Sequence, residues 1–391
     1  MKTNRNQPEA FNRRKFLKGV TLTLGTTILG LPLLSMSQKS AESSVAAENE
    51  SEQTGAQKRK LGIALVGLGQ YSANQLAPAL QETENCYLAG IVTGTPSKAQ
   101  AWKTKYNIPA KNIYNYENFD EIAQNKDIDI VYVVLPNAMH AEYTIRAAKA
   151  KKHVICEKPM ATTVADAQRM LDACRQNNVQ LAIGYRLHFE PFHRRVMELG
   201  QKQVYGKVQQ IEARNSGDQT NGSLDIWRLN KKLAGGGPLM DLGIYCVQGA
   251  IYTMGTTPVA VTAKFGEVTK PSYFYDVEQS ISWQMEFENG VVATCNSSYA
   301  DDENVLSSKA EKGWWKLSPS YAYEGKKGET SEGPMNLPNI YEQVKQMDSQ
   351  AESFRRNKPS IVPGEMGLRD MKILMAIYES AKAGGKRVPI N

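Results

Sequence analysis

Two groups of side chains in this sequence have types and spacings that could do chemistry. The first is Cys156-Glu157-Lys158-Pro159-Met160, at the end of an apolar, β-branched run. In open α/β sheets ligands sit outside the carboxyl ends of the strands. An ammonium placed there and locked by a proline can polarise a substrate oxygen or lower the pKa of a neighbouring acid. The plainer reading is a surface ion pair between Glu157 and Lys158. The second group follows three glycines, Gly235 to Gly237, where Asp241 and Tyr245 lie four residues apart in a helical stretch. That spacing puts both on one helix face, where they can meet the same ligand. A tyrosine beside an ammonium can act as general acid and base, because the cation stabilises the phenolate. Taken alone, Tyr245 also reads as a core tyrosine.

Both groups need a partner, and the sequence offers one upstream. Gly67-Leu68-Gly69-Gln70-Tyr71-Ser72 follows the apolar run Leu61 to Val66 and opens a helical stretch. In that setting a tight turn at Gly67 and a bare backbone at Gly69 suit a dinucleotide pyrophosphate at a helix N-terminus. Ser72 stands where the fingerprint has Gly or Ala. An NAD site usually carries Asp or Glu at the end of the second strand, to bind the ribose 2′-hydroxyl. Here that strand ends Val92-Thr93-Gly94-Thr95, with Lys98 soon after. No carboxylate repels a 2′-phosphate, Thr93 could hydrogen-bond it and Lys98 could pair with it. NADP is therefore expected ahead of NAD; the alternative makes Lys98 a solvated helix lysine like Lys103 and Lys105.

Longer stretches add a resemblance. The fingerprint, "LPNAMHAEYTIRAAKAKKHVICEKPMA", "GYRLHFEP", "WRLNKKLAGGGPLMDLGIY" and "PGEMGLRD" together resemble the Gfo/Idh/MocA family, most closely its periplasmic glucose–fructose oxidoreductase branch. The resemblance spans essentially the whole chain after residue 60. It implies a Rossmann domain, a second domain with an open antiparallel sheet, and a tightly held NADP. It implies catalysis by Lys158 and Tyr245, supported by Asp241. It implies cofactor contacts at Gly67, Leu68, Gly69, Tyr71, Thr93, Gly94, Lys98, Tyr116, Leu135, Asn137, His140, Glu157, Lys158, Arg186, Trp227 and Arg228, with Tyr299 and Tyr323 as further participants. That branch carries a longer, proline-rich arm that clamps the cofactor and a neighbouring subunit. Here no proline lies between Pro32 and Pro78, which leaves a non-dissociating cofactor and a tetramer open. The expected activity is hydride transfer from an aldose C1 to NADP and on to a second sugar. An ordinary sugar or polyol dehydrogenase with exchangeable cofactor, and a non-catalytic sugar-binding protein, are the alternatives.

The elements that must position these residues are legible as alternating patterns. Apolar runs at 61–67, 86–94, 128–136, 153–159 and 179–185 read as strands, separated by helical stretches at 97–106, 140–150 and 163–178. Short apolar strands alternating with amphipathic helices predict a parallel sheet covered on both faces. After Arg186 the rhythm changes. A helix is expected over 190–200, an edge or half-buried strand over 207–215 and a helix over 238–254. Strands follow at 258–268, 279–288 and 291–299, with shorter ones near 304 and 314, and two helices at 340–356 and 364–383. Glu288-Asn289-Gly290 reads as a hairpin turn. The fold expected is α/β: an N-terminal Rossmann domain (60–185) and a C-terminal α+β domain (186–391) with a large, mainly antiparallel open sheet. Oligomerisation as a dimer or tetramer is expected through that sheet.

The first 59 residues read differently. Arg13-Arg14-Lys15-Phe16-Leu17-Lys18 precedes an apolar run from Val20 to about Leu34, the pattern of a secretion signal. The paired arginines with Phe-Leu-Lys resemble a twin-arginine signal, which implies export of a folded protein to the periplasm. The signal region is read as 1–47 and a linker or arm as 48–59. A cofactor found only inside the cell would have to be loaded before such export. Charge and cysteines fit this picture. The net charge is +7, of which +3 falls in the first 50 residues, and no basic run is interleaved with aromatics, so nucleic acid is not an expected partner. The five cysteines form no CxxC pair and read as buried thiols, a disulfide being the alternative. The four histidines lack metal-ligand spacing, so no metal is expected.

Overall fold

A computed structural model describes residues 59–390. The secretion-type segment and the arm up to residue 58 lie outside the described residues. Six strands form the first sheet: β1 Leu61–Val66, β2 Cys86–Val92, β3 Ile113–Tyr114, β4 Ile130–Val133, β5 His153–Cys156 and β6 Leu181–Ile183. All neighbours are parallel, in the order β3-β2-β1-β4-β5-β6. This is the doubly wound order, with its switch point between β1 and β4, where a ligand crevice is expected. The two-residue β3 is too short to leave an apolar signature in the sequence.

β1 is buried along its whole length because both faces are covered. Ala64 and Val66 face one core with the helices His140–Lys149 and Val164–Gln176. Ile63 and Leu65 face another, completed by Val344, Met347, Ala351 and Phe354 of the helix Glu342–Arg355. That helix lies late in the chain yet roofs the first sheet. Asp348 fixes it there by accepting hydrogen bonds from the backbone N–H groups of Glu84 and Asn85 at 2.9 and 2.7 Å.

The second sheet, among the described residues, holds β7 Val208–Asn215, β8 Ala260–Phe265, β9 Ser280–Glu286, β10 Val292–Ser298, β11 Asn304–Ala310, β12 Gly313–Leu317, β13 Gly328–Thr330, β14 Gly333–Pro334 and β15 Val388–Pro389. Their order is β14-β13-β12-β11-β7-β10-β9-β8-β15, and every pair is antiparallel except β7 with β10. β7 is therefore not at an edge: it lies between β11 and β10. Its polar residues are explained by one solvated face, with Gln209, Gln210 and Arg214 exposed while Ile211 and Ala213 are buried. The fold is thus a parallel Rossmann sheet joined to a mixed, mainly antiparallel one. Helices Ile244–Met254 and Gly364–Lys382 cover the inner face of the second sheet.

Candidate active site

The crevice begins at the β1 turn. Gly67 has φ +92, and a Cβ there would lie 2.4 Å from the Val134 carbonyl oxygen, so only glycine fits. Gly69 is exposed, and a Cβ on it would meet nothing within 4 Å. Its backbone therefore borders open space at the start of the following helix. Ser72, the departure from the fingerprint, donates its hydroxyl to the Gly67 carbonyl at 2.6 Å and so holds the turn. Residues Ser72–Leu76 form a π-helical turn, as do Leu239–Gly243 on the opposite wall. Such turns are frequent at functional sites.

At the far end of β2, Lys98 donates to the Leu68 carbonyl at 3.3 Å, closing one side of the glycine loop. The Thr93 hydroxyl accepts from the Thr95 N–H at 3.2 Å. The Tyr116 ring lies 3.2 Å from where a Gly94 Cβ would be, and packs edge-on against Tyr143. Gly94 and Tyr116 thus lie together beside Thr93, and Lys98 sits against the glycine loop; no carboxylate is among these residues.

The catalytic candidates converge on the opposite wall. Lys158 follows β5, and its Nζ donates to the Asp241 backbone oxygen at 2.7 Å and to Oδ1 at 3.2 Å. The same Nζ lies 4.7 Å from the Tyr245 ring centroid. Asp241 and Tyr245 are thus joined through Lys158. Oδ2 of Asp241 accepts from Arg228 Nε at 2.8 Å and from the Tyr299 hydroxyl at 3.1 Å. Burial opposes ionisation of Asp241, but Arg228 and Lys158 outweigh it and hold its carboxyl well below the usual range. Burial likewise opposes the Lys158 ammonium, yet Tyr245, Asp241 and Glu157 raise its pKa. Lys158 is therefore a permanent cation beside a phenol. Arg228 also stacks on Trp227 at 4.5 Å, so this pair rims the same cluster.

Glu157 points the other way. It accepts from the Tyr132 hydroxyl at 2.6 Å, and Tyr132 in turn accepts from Gln346 at 2.8 Å. Burial pushes the Glu157 carboxyl up despite these bonds and the nearby Lys158. His140 is buried with Nδ1 2.9 Å from the Pro159 oxygen and Nε2 2.9 Å from the Leu135 oxygen. Both ring nitrogens face backbone carbonyls, and the single N–H of the neutral ring donates to one of them, so His140 packs between the turn after Lys158 and the turn after β4. Asn137 donates to the Ala234 carbonyl at 2.8 Å and so links that turn to the second half of the chain. Arg186, just beyond β6, is bonded to Glu342 at 2.5 Å, and its carbon Cζ lies over the rings of Tyr245 and Tyr323. The three glycines are closely packed: a Cβ on Gly236 would overlap the Tyr378 hydroxyl at 1.9 Å.

The structure adds residues that the sequence did not single out: Tyr132 and Gln346 behind Glu157, and Tyr321, Lys326 and Glu342 behind Arg186. One signal was available for part of this set. Glu342, Gln346 and Gln350 recur every four residues in an otherwise core-facing helix stripe, and all three are buried. All five cysteines are buried and unpaired.

Comparison with known proteins agrees with this geometry. Residues 61–185 match the model of an oxidoreductase family with an NAD-binding Rossmann fold, and residues 193–311 match the GFO/IDH/MocA C-terminal domain. The crystal structure of aldose-aldose oxidoreductase from Caulobacter crescentus, complexed with glycerol, superposes with a TM-score of 0.82 at 38% identity, covering 85% of this chain and 100% of that one. A D-xylose 1-dehydrogenase [NADP(+)] from Haloarcula marismortui is 29% identical over 333 residues, 82% of this chain and 91% of its own. A D-glucoside 3-dehydrogenase from Escherichia coli is 26% identical over 346 residues, 83% and 96% of the two chains. With both halves matched, the chain belongs to the Gfo/Idh/MocA oxidoreductase family.

Proposed function

We propose that this protein is a periplasmic sugar oxidoreductase that oxidises an aldose at C1 and reduces a second sugar with the same bound NADP. The coarse part is plain: it is an NADP-dependent oxidoreductase acting on the CH-OH of sugars. The observation that carries the finer reading is the Lys158–Asp241–Tyr245 cluster, in a chain 38% identical to an aldose-aldose oxidoreductase.

The crevice fits the cofactor. Gly67, Leu68, Gly69 and Tyr71 would hold its pyrophosphate, and Thr93, Gly94, Lys98 and Tyr116 its 2′-phosphorylated end. Leu135, Asn137, His140, Glu157, Arg186, Trp227 and Arg228 would frame or support the remainder. When bound, the nicotinamide accepts hydride from one sugar and returns it to another. Tyr245 takes the proton from the C1 hydroxyl of the donor and gives one to the carbonyl oxygen of the acceptor. Lys158 favours the phenolate and orients the sugar oxygen. Asp241 holds Lys158 and Arg228 in place. Export by the twin-arginine pathway is supported by Arg13-Arg14 and the apolar run after them. A carried cofactor outside the cytoplasm has to be recycled by a second substrate. Assembly as a dimer or tetramer is supported by the solvated face of the second sheet, where β9 and β10 alternate exposed and buried residues.

The test is an absorbance spectrum of the purified, extensively dialysed protein. The expected result is a band at about 340 nm that grows on adding an aldose and bleaches on adding a second sugar. A cofactor-free protein that reduces supplied NADP⁺ steadily with one sugar would make it an ordinary dehydrogenase, the activity named for the Haloarcula relative.

A further inference from the structure

Behind Tyr245 lies a second cation that is held as firmly as Lys158. Arg186 is 2% exposed, and both its terminal nitrogens are occupied by protein acceptors. Nη1 donates to Glu342 Oε1 at 2.5 Å and Nη2 to the Tyr321 carbonyl at 2.5 Å. Lys326, also 2% exposed, donates to the same Glu342 Oε1 at 3.1 Å, and Glu342 is 1% exposed. One carboxylate oxygen is thus shared by two buried cations. The edge of the guanidinium is fixed, and Cζ lies 5.2 Å from the Tyr245 ring centroid and 4.4 Å from that of Tyr323. Both distances are within the range of cation–π attraction.

We propose that Arg186, held by Glu342 and Lys326, is a positioning residue that supplies Tyr245 with a second stabilising cation besides Lys158. This rests on the reading of Tyr245 as the acid–base group. The groups facing Tyr245 are Lys158 and Arg186 from the strand ends, Tyr321 and Tyr323 from the loop after β12, and Asp241 and Tyr252 from its own helical segment. Of the two phenols over Arg186, Tyr323 is pushed above its ordinary value by burial and then by Tyr245, although Arg186 offsets part of this. The same cation lies over the Tyr245 ring. Glu342 offsets part of the cation's influence, and Lys326 offsets part of Glu342. The three charges alternate in sign with distance from the phenol, so their removal has predictable and opposite effects.

The test is an ultraviolet titration of tyrosinate, each variant being compared with the same variant carrying Tyr245→Phe to isolate the Tyr245 signal. Arg186→Met is expected to raise the Tyr245 midpoint by on the order of one pH unit, and Arg186→Lys to restore part of it. Lys326→Met, which touches neither Tyr245 nor the crevice, should raise it by roughly half as much, and Glu342→Gln should lower it. The basic limb of the kcat/KM profile should move in step. An unchanged midpoint in folded Lys326→Met and Glu342→Gln proteins, or shifts of the same sign in both, overturns the inference. If Tyr245→Phe keeps full turnover while the shifts occur as expected, the acid–base reading fails and the charge placement stands. If Tyr245→Phe is inactive and no shift occurs, only this inference fails.

Discussion

At Gly69, on one wall of the crevice, an added methyl group would meet nothing within 4 Å; at Asp241, on the other, Lys158, Arg228 and Tyr299 converge on one carboxylate. The first wall is shaped by what its residues lack. Its glycines leave room and present backbone, and its polar groups bond mostly to main chain. The second wall is filled with charge that is paired inside the protein. The difference follows the tasks. A cofactor held for many turnovers needs a matching surface, whereas proton transfer needs a fixed electrostatic field at one atom. Low-dielectric burial makes that field strong and also makes each unpaired charge costly.

The comparison can be broken most forcefully at the charged wall. Tyr245→Phe and Lys158→Ala are expected to lower turnover by about 100- to 10,000-fold with the fold intact, as steady-state kinetics and circular dichroism would show. Asp241→Asn leaves the mostly covered Lys158 and the partly exposed Arg228 without their shared anion and should cost about 1–3 kcal/mol in urea unfolding, the exposure of Arg228 reducing the loss. The Asp241 pKa is depressed by folding, so its contribution is present above the ordinary value of 3.8 and lost as pH falls through the folded value. The stability gap between parent and Asp241→Asn should therefore narrow below pH 3.8, and a gap constant with pH would contradict the pairing.

At the open wall, two neighbouring glycines should separate. Gly67→Ala is strained at φ +92 against the Val134 carbonyl and should cost about 2 kcal/mol or more in thermal or urea unfolding. Gly69→Ala should leave the cofactor-free melt unchanged within about 0.5 kcal/mol, while weakening NADP binding in calorimetry. Equal melts for the two variants would contradict the distinction. The smallest effect concerns the histidines. Burial is the largest cause in all four, and it lowers His140, His153 and His193 and takes His188 to about 4. The His188 contribution is full above 6.5 and lost as pH falls toward 4. His188→Asn should flatten the fall in melting temperature over that interval.

Parts of both walls were legible in the sequence. A glycine turn after an apolar strand and the missing carboxylate after β2 depend on residues close in sequence, as do Lys158 after β5 and the Asp241–Tyr245 spacing on the second wall. The strand–helix alternation was equally local. β7 was harder, because a half-polar strand looks alike at an edge and in the middle of a sheet with one solvated face. β13, β14 and β15 were missed because two or three residues carry no period. The support for Arg186 was hidden for a different reason. Glu342 and Lys326 are separated from it by 156 and 140 positions, and only the return of a late helix to the first sheet brings them together. Resemblance pointed to Arg186 and to Tyr323, but nothing in residue type or spacing tied them to a buried glutamate.

That returning helix constrains the order in which the protein can be made. Val344, Met347, Ala351 and Phe354 complete the core on one face of β1, and Asp348 caps the loop before β2. A nascent chain ending near residue 185 would carry six strands with part of one apolar face uncovered, Leu76, Leu80 and Trp102 packing on the rest. The cofactor crevice is thus finished only after some 350 residues have emerged. An isolated 59–185 fragment is expected to aggregate, and co-expression with a separate 186–390 fragment to rescue it. Synthesis from the ribosome and capture of the cofactor then become successive events, with loading delayed until almost the last turn of the polypeptide.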